Sequence, residues 1–187
     1  YGAMVAEWSV DVDRASDNEV DILGSRSTAD ANDTGDYKTG KYVQQWRYFQ
    51  SVEDGSKLSR GWFKVVSAEY LNEEKYDDDE ESWYYADGSG DIYAGEFKTI
   101  NGRKFAFRND GRCIFGLNFI REEESALEVM ASDDATYNYD NVDDFDDHAP
   151  YLEEMGYHAY YFGETGDAPT DGAMRTGKTT VEIDGEN

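Results

Sequence analysis

Aromatic residues and Asp-Gly pairs alternate through residues 83–111, WYYADGSGDIYAGEFKTINGRKFAFRNDG, and this pattern constrains the fold more than any other feature of the chain. Trp83, Tyr84 and Tyr85 run into Asp87-Gly88. After Gly95-Glu96-Phe97 come Asn101-Gly102, then Phe105 and Phe107, then Asp110-Gly111. Asp-Gly and Asn-Gly pairs between alternating apolar residues are strong hairpin signals, because glycine reaches positive φ without steric cost and matches the twist of the flanking strands. The tyrosines, phenylalanines and isoleucines supply β-propensity. A lone hairpin is marginal in water, so units this small must stack and bury their aromatics between neighbours.

Related units recur. Trp46, Arg47, Tyr48 and Phe49 precede Asp54-Gly55, and Gly61-Trp62-Phe63-Lys64 parallels Gly95-Glu96-Phe97-Lys98. Tyr160-Tyr161-Phe162-Gly163 leads to Asp171-Gly172-Ala173-Met174, and Gly2-Ala3-Met4 matches the end of that unit. The reading is therefore a slice of a longer repeat array. It predicts a mostly β chain with hairpins over 46–66, 83–100, 103–119 and 159–183, stacked into a short, irregular β-solenoid with acidic insertions and a few short helical turns. The corresponding divisions are a partial repeat and irregular excursion over 1–45, hairpin repeats over 46–120, an acidic, partly helical insertion over 121–157, and a truncated repeat over 158–187. Helical turns are expected at 122–130 and 149–156, the second between Pro150 and Gly156.

The aromatic triplet, the Asp-Gly pair, the Gly-aromatic step and Ile100-Asn101-Gly102-Arg103-Lys104-Phe105 resemble the cell-wall-binding, choline-binding-type repeats of Gram-positive surface proteins, which also occur in glucan-binding domains. The resemblance is strongest over 83–119 and weaker over 46–66 and 158–185. It implies a secreted or cell-wall-associated, non-catalytic module. It also implies a ligand cage of aromatics from two successive hairpins, for which Trp62, Trp83 and Tyr85 are the candidates. At the next two junctions Glu96 and Leu117 stand where an aromatic would be needed. A cation over one aromatic face contributes about 0.5–2 kcal/mol, so a single cage reaches only about millimolar affinity and a wall binder depends on multivalency.

Forty-two acidic residues against 17 basic ones leave a formal net charge of −25, which disfavours nucleic acid, since phosphate contacts need a basic surface. Bilayer insertion is not expected either, because no apolar run is long enough to span a membrane. The acids cluster at residues 72–81 and 133–147, between the predicted units, where like charges stay hydrated. Calcium is the sharper alternative, with Asp140, Asp143, Asp144 and Asp146 offering oxygens. An EF-hand counted from Asp140 would need Gly and Glu where Phe145 and Tyr151 stand. No other cofactor is suggested.

The single cysteine, Cys113, rules out an internal disulfide framework and reads as a small core residue, in the place held elsewhere by Leu58, Ile92 or Met174. Catalytic signatures are missing: there is no phosphate loop, nucleophile elbow or zinc-binding helix motif. His148 and His158 flank Pro150 and Gly156 among carboxylates, with nothing to fix a geometry. Three classes stay open: a module binding wall polymer (choline or glycan), a structural or adhesive spacer, and a surface domain binding a host glycan or protein.

Overall fold

A computed structural model describes residues 3–6, 46–50, 56–68, 71–124, 126–164 and 169–186. The expected excursion over 9–40 and the Asp54-Gly55 turn lie outside these residues. Among the described residues the chain is mostly strand with few helices, arranged as small antiparallel sheets.

Strands β1 (Ala3–Ala6) and β2 (Trp46–Phe49) pair with each other, as do β3 (Gly61–Val66) and β4 (Glu81–Ala86), and β5 (Glu96–Ile100) and β6 (Arg103–Phe107). Strand β7 (Leu117–Glu122) is the centre of a three-stranded sheet, with β8 (Leu127–Val129) on one side and β9 (His158–Tyr161) on the other. Helix α1 (Glu73–Asp77) lies between β3 and β4, and helix α2 (Val142–Glu154) between β8 and β9.

These pairings correct the expected hairpin frame. Asn101-Gly102 turns a ladder directly: both residues take positive φ, 50° and 77°, and Ile100 faces Arg103 across them. The Asp-Gly pairs instead close short loops that end in one β-bridge each, Ala86 to Ile92 and Phe107 to Cys113. In both, the aspartate builds the turn. Asp87 Oδ1 accepts from the Ser89 and Asp91 N–H groups, and Asp110 Oδ1 accepts from Arg112 N–H. Equivalent bridges join Phe49 to Lys57 and Phe162 to Met174. Each unit is thus a ladder followed by a loop that folds back onto it.

The acidic stretch 72–81 therefore lies inside the β3–β4 hairpin, not between units. It carries its own structure, because Asn72 caps α1 by accepting from Lys75 N–H, and Lys75 pairs with Glu80. The described residues of 122–130 are not helical either. After Glu123 N–H bonds to Ala126 C=O, the chain returns as β8 along β7, with Leu127 buried. The second expected helical turn exists but is longer. Asn141 accepts from Asp144 N–H and starts α2 eight residues ahead of Ala149, and Gly156, at φ 90°, stops it. Pro150 sits inside the helix at an exposed position, where it has no backbone N–H to donate to the turn before it. The expected 159–183 hairpin is replaced by β9 pairing with β7.

Side-chain alternation dictates the stacking, since successive residues of a strand face opposite ways. Phe63 and Tyr84 share one face of β3–β4, and Tyr48 of β2 stacks on Phe63 at 4.3 Å. Tyr84 is wholly buried there and its hydroxyl meets Ser67 Oγ at 2.5 Å. Trp62, Trp83 and Tyr85 share the other face and pack with Ile100, Phe105 and Phe107 of β5–β6. The reverse face of β5–β6, with Phe97 and Ala106, packs with Ile120, Leu127, Tyr160 and Phe162. Behind β7, Phe119 packs with Tyr139, Phe145 and Leu152, so α2 and the segment before it cover the far side of the sheet. Backbone bonds tie layers together as well. Cys113 N–H donates to Trp83 C=O at 2.8 Å, and Met174 N–H to Lys104 C=O at 2.7 Å.

Candidate functional site

Trp62, Trp83 and Tyr85 do come together, but on one hairpin and not from two. Trp62 faces Tyr85 across the β3–β4 ladder and Lys64 faces Trp83, so the three aromatics are neighbours on a single face. The second hairpin supplies the other wall. Trp62 meets Phe105 edge-on at 4.9 Å and overlaps Phe107 at 5.9 Å. Tyr85 stacks on Tyr93 at 5.2 Å, and Tyr93 meets Phe107 at 5.6 Å. With Trp62 and Tyr85 at 5.2 Å, the four rings Trp62, Tyr85, Tyr93 and Phe107 form a closed loop of contacts.

Phe107 is fully buried at the base of this loop, whereas Trp62, Tyr85 and Tyr93 each keep part of their surface in solvent. Separations of 5–6 Å between neighbouring centroids are packing distances, so consecutive rings of the loop touch directly. Cations of the chain itself already occupy adjacent faces: Lys98 Nζ lies 4.9 Å from the Tyr93 centroid and Lys64 Nζ 5.9 Å from that of Trp83. Burial raises the Tyr93 phenol above its ordinary pKa, with Lys98 working against the shift. Trp83 Nε1–H is enclosed without a hydrogen-bond partner among the described residues.

Tyr93 and Phe107 escaped the sequence reading. Their signal was present in the period-two spacing of Phe105 and Phe107 and in the step from the Ile92 bridge to the next residue, but only the stack shows that they complete the ring of contacts. Phe63 and Phe97 are not part of this set: Phe63 lies on the opposite face of the hairpin and Phe97 in the next layer.

The four calcium candidates do not converge. Among the described residues no group of three or more His, Cys, Asp or Glu side chains is placed to hold a metal ion. Asp140 and Asp144 face amides instead: Asn138 Nδ2 donates to both, at 3.2 and 2.6 Å, and so does Asn141 Nδ2, at 3.2 and 2.5 Å. Asp143 and Asp146 lie on α2, with Asp146 exposed. This is the chemistry of a capped helix start, where acidic residues complement the dipole. His148 Nδ1 lies 2.7 Å from Asn138 C=O on α2, and His158 is exposed on β9.

Cys113 is buried in the layer shared by Phe105 and Phe107, its thiol pushed up to about 12 by burial, as befits a core residue. No protein-family model matches the chain, and no curated protein matches it significantly.

Proposed function

We propose that the chain is a non-catalytic binding module of a secreted or cell-wall-associated protein, a β-solenoid in which stacked hairpins present aromatic rings to a neutral glycan. The observation that carries this reading is the partly exposed set Trp62, Tyr85 and Tyr93 at the junction of two hairpins, backed by a rigid base of Phe105 and Phe107. An exposed aromatic ring face held this way stacks on the apolar face of a pyranose, and the surrounding carboxylates and phenols accept from and donate to its hydroxyls. A neutral sugar also tolerates a net charge of −25 better than an anionic wall polymer does. Quaternary ammonium is the less suitable ligand, because ring-to-ring contact and the nearby Lys64 and Lys98 compete with a foreign cation.

The test follows tryptophan fluorescence while the chain is titrated with glucan oligosaccharides and, separately, with choline. The proposal expects a saturable response to oligosaccharide that Tyr93→Ala removes without unfolding the protein. A folded wild type that responds to neither ligand refutes it. A second reading, a structural or adhesive spacer, is favoured by the direct contacts between consecutive rings, and it is the reading left if neither ligand registers.

A further inference from the structure

Away from the aromatic junction, an open groove of about 550 Å³ runs between the loop after β6 and the free edge of β8. The edge belongs to a strand with only one partner strand among the described residues. Met130 N–H donates to Phe119 C=O and Glu123 N–H to Ala126 C=O, so residues 126, 128 and 130 turn their backbone groups toward β7. Alternation then turns those of Leu127 and Val129 outward. Asn109 Oδ1 takes up the Leu127 N–H at 2.8 Å, which confirms the direction and leaves the Val129 N–H and C=O and the Leu127 C=O at the groove.

Five charged side chains line the groove, and four are engaged. Asp110 accepts from Asn72 and from Arg112 Nε, which pairs Arg112 in turn. Glu128 accepts from Arg121 and from the Tyr157 hydroxyl. Asp134 accepts from the Thr136 and Tyr137 N–H groups. Arg108 is the remaining one, a partly buried guanidinium with no hydrogen bond or ion pair from its side chain among the described residues. Burial and the neighbouring Arg112 push its pKa below the ordinary arginine value, with Asp110 and Tyr139 working against the shift.

We propose that this groove is a peptide-docking site, in which a short extended segment adds to the β8 edge through Val129 and sets one acidic side chain on Arg108. An extended chain is the occupant that a free strand edge recognises, through main-chain bonds that give affinity and a side-chain contact that gives specificity. The apolar walls formed by Leu71, Val129 and Met130 suit β-branched neighbours of that acidic residue. Its other residues are neutral or basic, because Glu128, Asp110 and Asp134 surround the groove and the whole chain repels a polyanion.

The ¹⁵N-labelled protein is titrated with the capped pentapeptide Val-Thr-Glu-Val-Lys and with its counterpart carrying Gln for Glu, following amide and arginine Nε–H resonances. The expected result is a shift of the Val129 amide and the Arg108 Nε–H with the first peptide, and binding about tenfold weaker with the second, as loss of a charge-assisted contact requires. In Arg108→Gln, checked for a native spectrum, the two peptides bind alike; if that variant does not fold, Arg108→Lys retains the charge and a preference for the Glu peptide. Equal binding of both peptides to the wild type, shifts confined to other surfaces, or no shift at millimolar peptide overturns the proposal. Glucuronic acid producing the same shifts overturns the extended-peptide assignment, since a sugar carboxylate would then suffice.

Discussion

Replacing Trp62 by alanine tests whether the aromatic junction is what joins the β3–β4 and β5–β6 hairpins. Trp62 contacts Tyr85 within its own hairpin at 5.2 Å and Phe105 and Phe107 of the next at 4.9 and 5.9 Å. A fully buried tryptophan truncated to alanine costs about 3–5 kcal/mol. Trp62 is partly exposed, so the expected loss is about 2–3 kcal/mol. With a urea dependence of about 2 kcal/mol per molar, the unfolding midpoint drops by about 1–1.5 M. The cross-layer share is isolated by a double-mutant cycle with Phe105→Ala, in which the edge-on pair should show a coupling of about 0.5–1.5 kcal/mol. Urea unfolding by circular dichroism of wild type, both single variants and the double variant measures it. A coupling indistinguishable from zero, or a Trp62→Ala midpoint within about 0.3 M of wild type, would refute the argument that the rings of successive hairpins hold each other.

Gly111, at φ 90°, would place a new Cβ 3.2 Å from Tyr84 Cδ1, so Gly111→Ala should destabilise by about 1–3 kcal/mol from backbone and contact strain together, read as a lower thermal midpoint. Asn141→Ala removes the acceptor for Asp144 N–H and should cost about 0.5–2 kcal/mol, with faster amide exchange in the first turn of α2. Burial raises the Cys113 thiol from 9.0 to about 12, so its contribution is complete below about pH 9 and is lost as pH rises toward 12. Cys113→Ala should therefore flatten part of the alkaline fall in stability, and a thiol reagent at pH 8 should react with the wild type only as it unfolds.

Local chemistry made the turns legible. Asn101-Gly102 closes its hairpin, Asp87 and Asp110 build the turns that bear them, and Gly156 ends α2, because each depends on the backbone angles and short side-chain bonds of a few consecutive residues. The clustering of Trp62, Trp83 and Tyr85 was legible for the same reason, since alternation puts every second residue of a strand on one face. Pairing partners were not. Gly61 meets Ala86 across α1 and its acidic flanks, and Leu117 meets Tyr161 across the whole of β8 and α2. The entropy of closing a loop grows only slowly with its length, so the Asp-Gly loops had little advantage over these longer connections, and burial of the matching apolar faces chose between them. The same competition drew Leu127–Val129 into a strand, where β7 offered a free edge, in place of the helix the neighbouring glutamates favour. Tyr93 and Phe107 at the junction, and Arg108 in the groove, belong to that level of organisation: their roles come from neighbours in other layers, which the order of residues along the chain does not encode by itself.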